Sequence, residues 1–387
     1  MIKKTIGVVT ATRAEYGLLR NLIFRFKEDK DFELKILVTG MHLSPEFGNT
    51  YKEIENDGIE IAKKIPILLS GDDACSVSKT MGLAMIGFGE YFADVSFDAL
   101  IALGDRYEIL PVCLAAMNAK IPIIHLCGGD TTEGAIDEGI RHSITKLSYL
   151  HFTNSDESRK RVIQLGEEPS RVFTVGSMGL ENIRTMSLLT QKELEGELKF
   201  SLGEKYAVVT YHPVTLDTSD VEKQVNELIK ALDEFKDMNF IITKANADAK
   251  GRTINALLEC YAKNNSNIYF CDSLGSLKYL SSLKYASMVI GNSSSGISEA
   301  PSFGIPTINI GNRQRGRMQG DTIINCDEDT QSIISAIQKA LLPDTIKMCK
   351  MAVNPYGDGK CSEKMHEIIR KFISKDIDLK KKFYDLK

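Results

Sequence analysis

No two cysteines in this sequence are spaced as CxxC, and none of its eight cysteines joins one of its six histidines at a metal-ligand spacing. Zinc-ribbon and thioredoxin-type patterns are thereby excluded. The thiols read as reduced, mostly core groups of a cytoplasmic protein. No apolar run approaches the roughly 20 residues of a membrane-spanning helix. The N-terminus enters a strand pattern at once, without the apolar core and small-residue cleavage site of a signal peptide. No membrane partner is expected. Neither sign of charge dominates: 48 Lys and Arg stand against 52 Asp and Glu, for a net charge of −4. Without a basic face, nucleic acid is not expected as a partner. There is no GxxxxGK[ST] loop, which argues against ATP-driven phosphoryl transfer, and no GxGxxG after the first strand, which leaves NAD unsupported. No nucleophile–base pair and no metal cluster is legible. Tryptophan is absent as well, and that excludes nothing.

What is present is enough chain, 387 residues, for two domains with a core each. It is organised around 291–299, Gly-Asn-Ser-Ser-Ser-Gly-Ile-Ser-Glu. The apolar run 286–290 enters this stretch as a buried strand, and a short glycine-closed helix is expected to follow. Backbone N–H groups and the hydroxyls of Ser293 and Ser294 then gather at a helix start, where phosphate oxygens are stabilised. Glu299, about one turn further in, is placed to accept hydrogen bonds from a ribose. Taken alone, the run is equally an ordinary serine N-cap. A second strand at 306–310 and a glycine-flanked loop carrying Arg313, Arg315 and Arg317 point instead to a diphosphate.

Taken in order, strand patterns recur at 6–10, 32–38, 98–103, 121–126, 149–153 and 171–175, then at 206–210, 239–243, 267–270, 286–290 and 306–310. Helical patterns separate them, beginning with Leu18, Leu19, Leu22, Ile23 and Phe26. Such alternation predicts parallel βαβ units, and hence an α/β chain of two Rossmann-like domains with a cleft between them. The expected division is 1–188, 189–360 and a helical tail, 361–387, packing back on the first domain. The polar stretch 190–205 reads as the interdomain connection. Polar groups collect where strands end: Arg13, Asp105, Arg106 and Asp130, with Asp137 nearby, in the first half, and His212, Asn246, Ser293, Ser294 and Arg313 in the second. Strand-end loops are where α/β sheets bind ligands. Several carboxylates near arginines suit acid–base chemistry. Each group alone has a plainer reading. Asp105 and Asp137 are also candidate helix caps, and His142 and His151 fit helix and strand patterns.

Together these motifs resemble the UDP-N-acetylglucosamine 2-epimerase family in its hydrolysing branch. The matching stretches are 13–17, 39–42, 104–108, 136–146, 161–167, His212-Pro213, 291–299 and 307–317. The resemblance implies the glycosyltransferase-B architecture. It implies anti elimination of UDP from a UDP-sugar through a glycal, then addition of water to give the free 2-epimer, with no cofactor and no metal. Asp105 and Asp137 match the family's acid–base residues, and His212 the histidine near the diphosphate. Arg13, Arg106, Asn246, Ser293, Ser294, Glu299 and Arg313 match nucleotide-contacting positions. Relatives carry an acid or a histidine where this chain has Cys127; Asp130, three residues on, is the acid expected to compensate. A homodimer or homotetramer is implied. The expected substrate is UDP-GlcNAc, yielding N-acetylmannosamine for sialic-acid-type synthesis. UDP-N,N'-diacetylbacillosamine is the alternative within the family. A glycosyltransferase of the same architecture and an inactive nucleotide-sugar sensor are the alternatives outside it.

Overall fold

A computed structural model describes residues 3–386 except 72, 133–134, 215–219, 246–249 and 376. The chain forms two compact units. The first is Met1–Asp130, Ile136–Glu181 and Tyr356–Lys387; the second is Thr131–Ala135 and Asn182–Pro355.

The first unit runs β1 (Lys4–Thr10), α1 (Arg13–Glu28), β2 (Phe32–Thr39), α2 (Tyr51–Asn56), β3 (Ile61–Ile65), α3 (Ala74–Asp94), β4 (Ala99–Leu103), α4 (Ile109–Asn118), β5 (Ile123–Leu126), α5 (Asp137–Leu147), β6 (Leu150–Thr153), α6 (Asp156–Gln164) and β7 (Val172–Thr174). Its strands are parallel in the order β3-β2-β1-β4-β5-β6-β7. Period-two alternation sends Ile6 and Val8 to one face and Val9 to the other, so each face has its own apolar cluster. Thr12 and Glu15 start α1 as a capping box, each side chain taking a backbone N–H of the other. Helix α7 (Met178–Thr185) carries the chain into the second unit.

That unit runs α8 (Gln191–Leu198), β8 (Tyr206–Thr210), α9 (Val221–Asp233), β9 (Asn239–Thr243), α10 (Gly251–Lys263), β10 (Ile268–Cys271), α11 (Gly275–Tyr285), β11 (Met288–Gly291), α12 (Ser294–Ser298), β12 (Thr307–Ile310), β13 (Ile323–Cys326), α13 (Thr330–Ala340) and α14 (Pro343–Met351). Its parallel order, β10-β9-β8-β11-β12-β13, repeats the 3-2-1-4-5-6 winding of the first sheet.

The expectation of a connector at 190–205 is corrected. Thr190 and Glu193 form a capping box for α8, and Leu194, Leu198 and Leu202 are buried in a core cluster with β8 residues. Apolar residues at every fourth position outweighed the charged ones between them. The chain then returns to the first unit as α15 (Cys361–Ile373). There Met365, Ile369 and Ile373 share a core cluster with Leu19, Leu22, Ile23 and Phe26 of α1. Arg370 reaches Asp29 at 3.0 Å and also pairs with Asp31.

Candidate active site

In a doubly wound sheet, ligands bind beyond the carboxyl ends of the strands where the winding reverses. In the first unit that point lies between β1 and β4. Arg13 opens α1 there and pairs with Glu53 of α2. Its Nε is buried without a hydrogen-bond partner. Arg106, just past β4, grips the buried Glu108 with two bonds of 3.1 and 3.0 Å. Glu15 accepts the Ala11 and Thr12 backbone N–H groups at 2.6 and 3.2 Å. Burial, set against the nearby Arg106 charge, raises its pKa to about 7. Next to them His42 bridges Thr10 and Thr50, at 3.1 and 2.8 Å. Burial lowers its pKa to about 4, so this imidazole is neutral at pH 7.

Asp105 is bound by Arg141 of α5, which is 1% exposed. The same guanidinium donates to Glu138 and to the Asp130 carbonyl, each at 2.9 Å. Burial works against the Arg141 charge, but Asp105, Asp130 and Glu138 outweigh it and hold the group more firmly protonated than usual. Asp137 is the first residue of α5 and Glu138 the second, favourable places for negative charge. Neither Asp105 nor Asp137 serves as an N-cap; Glu108 and Ile136 hold those positions. The Asp130 carboxylate takes the Ser158 hydroxyl at 2.6 Å and the Asn154 amide at 3.1 Å. The Cys127 Sγ lies 3.4 Å from the Asn154 Oδ1. Arg141 thus gathers Asp105, Asp130 and Glu138 into one network, while a Cys127–Asn154–Ser158 shell fixes Asp130.

The reversal point of the second unit lies between β8 and β11. Gly291 ends β11 with φ +133°, and a Cβ there would come within 1.9 Å of the Thr210 carbonyl oxygen. Only glycine allows that approach. The next residue, Asn292, is fully buried. Its side chain takes the His212 N–H at 2.7 Å and gives an N–H to the His212 carbonyl at 2.8 Å. Its own carbonyl accepts from Arg313 at 3.1 Å and Gln314 at 2.8 Å. One asparagine therefore joins the loops that present His212 and Arg313. Ser293 caps α12, Ser294 is its first residue, and Gly304 closes the 3₁₀ turn that follows. Glu299 accepts the Ser295 hydroxyl, which in turn accepts from Tyr279 at 2.8 Å. Burial raises the Glu299 pKa. Arg317 donates to the Thr131 carbonyl at 2.9 Å and the Thr132 hydroxyl at 3.1 Å. Asn246 lies outside the described residues.

Arg141, Asn292 and Gln314 were not among the residues singled out from sequence. The signal for Arg141 was its spacing, three residues after Glu138 on one helix face. Asn292 gave none, because its role depends on pairing with a loop 80 residues away. Among the described residues no group of acids, histidines or cysteines is placed to hold a metal, and no helix is long and apolar enough to cross a membrane.

Two parallel doubly wound α/β domains, each with polar residues at its winding reversal, define a two-domain α/β fold of the Rossmann-like class. Residues 25–370 match the family model described as UDP-N-acetylglucosamine 2-epimerase. The GDP/UDP-N,N'-diacetylbacillosamine 2-epimerase (hydrolyzing) of Campylobacter jejuni subsp. jejuni serotype O:2 is 48% identical over 88% of each chain. The polysialic acid biosynthesis protein P7 of Escherichia coli is 40% identical over 99% of this chain and 98% of its own. The crystal structure of UDP-GlcNAc 2-epimerase from Neisseria meningitidis bound to UDP-GlcNAc superposes with a TM-score of 0.79 at 17% identity, covering 95% of this chain and 100% of that one. The chain belongs to the UDP-N-acetylglucosamine 2-epimerase family, in its hydrolysing branch.

Proposed function

We propose that the protein cleaves a UDP-activated 2-acetamido sugar with inversion at C2, and that the sugar is N,N'-diacetylbacillosamine. The observation that carries the reading is the Asp105–Arg141–Glu138 network beside Asp137, in a chain 48% identical to a relative named for that sugar. In this scheme a carboxylate base takes the C2 proton while the C1–O bond to the diphosphate breaks, giving the glycal. Water then supplies a hydroxyl to C1 and a proton returns to C2 from the opposite face. Asp105 and Asp137 carry these proton transfers. Arg13, Arg106, His212, Ser293, Ser294, Arg313 and Asn246 hold the nucleotide and its departing charge, and Glu299 takes the ribose. The two hydrogen bonds already received by the Asp130 carboxylate favour an anchoring part for it over proton transfer. The protein works as a homo-oligomer in the cytoplasm.

A second reading, UDP-GlcNAc as substrate, is favoured by the 40% identity to a protein named for polysialic acid biosynthesis. The test incubates the protein in deuterated water with UDP-diacetylbacillosamine, its GDP counterpart or UDP-GlcNAc, followed by NMR. The expected result is fastest release of UDP from the diacetamido compound, with deuterium at C2 of the free epimer. Faster turnover of UDP-GlcNAc would establish the second reading. An epimer still joined to its nucleotide, or a requirement for a sugar acceptor, would overturn both.

A further inference from the structure

Arg313, Arg315 and Arg317 share the loop after β12, and Arg313 is the one placed on the nucleotide. Arg317 is committed elsewhere. Its Nε donates to the Thr131 carbonyl at 2.9 Å and its Nη2 to the Thr132 hydroxyl at 3.1 Å. A planar guanidinium is suited to two such bonds at once. Both acceptors are neutral, and Thr132 is 1% exposed. The Thr131 hydroxyl in turn donates to the Arg315 carbonyl at 3.4 Å, so loop and segment hold each other. The base of Arg317 is fixed as well. Its backbone N–H donates to the Gln314 carbonyl at 3.3 Å, and the buried Gln314 side chain donates to the Asn292 carbonyl at 2.8 Å.

What Arg317 holds is the link between two acids. Asp130 precedes Thr131, its carboxylate anchored by Ser158 and Asn154. Asp137 follows as the first residue of α5. The Ala135 N–H donates to the Thr132 carbonyl at 3.2 Å, so fixing Thr132 also fixes Ala135, two residues short of Asp137. Residues 131–135 count with the second unit, whereas Asp130 before them and Ile136 after them count with the first. The direction in which α5 starts therefore depends on a segment that the arginine loop holds. A group that moves a proton must keep its aim to within about 0.5 Å, which takes a supporting shell of hydrogen bonds. We infer that Arg317 is a positioning residue for proton transfer: it clamps Thr131 and Thr132, and so sets the first turn of α5 and the aim of Asp137.

The inference rests on the reading that Asp137 takes part in proton transfer. Its test compares the full chain with Arg317→Met, which keeps length and removes the donors, and Arg317→Lys, which restores one donor. The substrate is whichever UDP-sugar the unaltered chain turns over faster. Arg317→Met is expected to lower kcat about 30-fold, the order of loss that a displacement of about 1 Å brings. KM, and the Kd for UDP by calorimetry, stay within about three-fold, since the clamp touches no phosphate. Arg317→Lys is expected to recover part of the rate. Thr132→Val removes one acceptor from the other side. The double variant Arg317→Met/Thr132→Val is expected to be at least about three-fold faster than the product of the two losses. Hydrogen exchange supplies an arm that needs no turnover: Arg317→Met is expected to speed exchange of the Ile140 and Arg141 amides about ten-fold, with β11 and β12 unchanged. An unchanged kcat, a UDP Kd raised while kcat is kept, losses that simply multiply, or unchanged exchange at α5 would each overturn the inference. An unaltered chain that turns over no UDP-sugar would overturn the proposed function instead, and the exchange arm would then decide whether Arg317 fixes α5.

Discussion

At the residue scale, Asp105 and Asn292 carry the two clearest predictions. Asp105→Asn keeps shape and a hydrogen-bond acceptor for Arg141 but removes the carboxylate. Turnover is expected to vanish while UDP still binds, which calorimetry with UDP would show; near-normal turnover would sink the assignment of Asp105 to proton transfer. Asn292→Ala removes the two hydrogen bonds that its side chain makes with the buried His212 peptide. At about 1–3 kcal/mol for each buried bond broken on one side, urea unfolding is expected to show a loss of about 2–6 kcal/mol. Asn292→Asp keeps the acceptor for the His212 N–H but turns a second acceptor toward its carbonyl. It is expected to raise KM for the UDP-sugar more than it lowers kcat, because the displaced loops are those proposed to grip the nucleotide.

At the element scale, residues 381–384 strap the C-terminal end of α5 to the loop that follows α6. Lys381 pairs with the buried Glu167 at 2.7 Å and donates to the Lys146 and Ser148 carbonyls at 2.9 and 2.6 Å. Phe383 lies against Gly166, and the Tyr384 N–H donates to the Gly166 carbonyl. Glu167 keeps Lys146 and His151 when Lys381 is lost. Lys381→Met is therefore expected to cost about 1–3 kcal/mol, short of a fully orphaned charge, measurable as a fall in the urea midpoint. This is also the scale at which sequence reading succeeded and failed. The central strands were legible because burial on both faces gives continuous apolar runs. The edge strands β3 and β13 were not, since half-exposed Ile-Ala-Lys-Lys-Ile and Ile-Ile-Asn-Cys lack such runs. Strand-end positions of the site residues followed directly from the strand pattern. Arg141 and Asn292 stayed hidden, because their roles lie in contacts between distant segments.

At the scale of the whole molecule, buried titratable groups predict acid sensitivity. Burial lowers His42 to about 4 and His125 to about 3 from the ordinary 6.5. The unfolded chain takes up these protons first, so their stabilisation is complete above about 6.5 and is lost as pH falls toward 4 and 3. Glu167, though burial opposes its charge, is held down to about 2 by His151, Lys146 and Lys381, and its contribution is lost between about 4.5 and 2. Glu15, raised to about 7, has the opposite sign: its contribution is full below about 4.5 and lost as pH rises to 7. More groups act in the first direction, so Tm is expected to fall steadily from pH 7 to pH 4. A Tm flat over that range would contradict the neutral, buried state of the histidines.

The first unit takes Met1–Asp130 and Ile136–Glu181 and is completed only from Tyr356 on, after the second unit has been made. On the ribosome, the apolar stripe of α1 therefore waits for its α15 cover while 182–355 is synthesised, about 10–35 s at ordinary elongation rates. The second unit, drawn almost wholly from one continuous segment, has no such wait. Its sheet is free to form first, and the first unit closes last, when Met365, Ile369 and Ile373 emerge. Newly made chains interrupted between the two events would lack α15 and leave exposed the apolar surface of α1 that it covers, Phe26 against His366 included, a surface a chaperone would recognise.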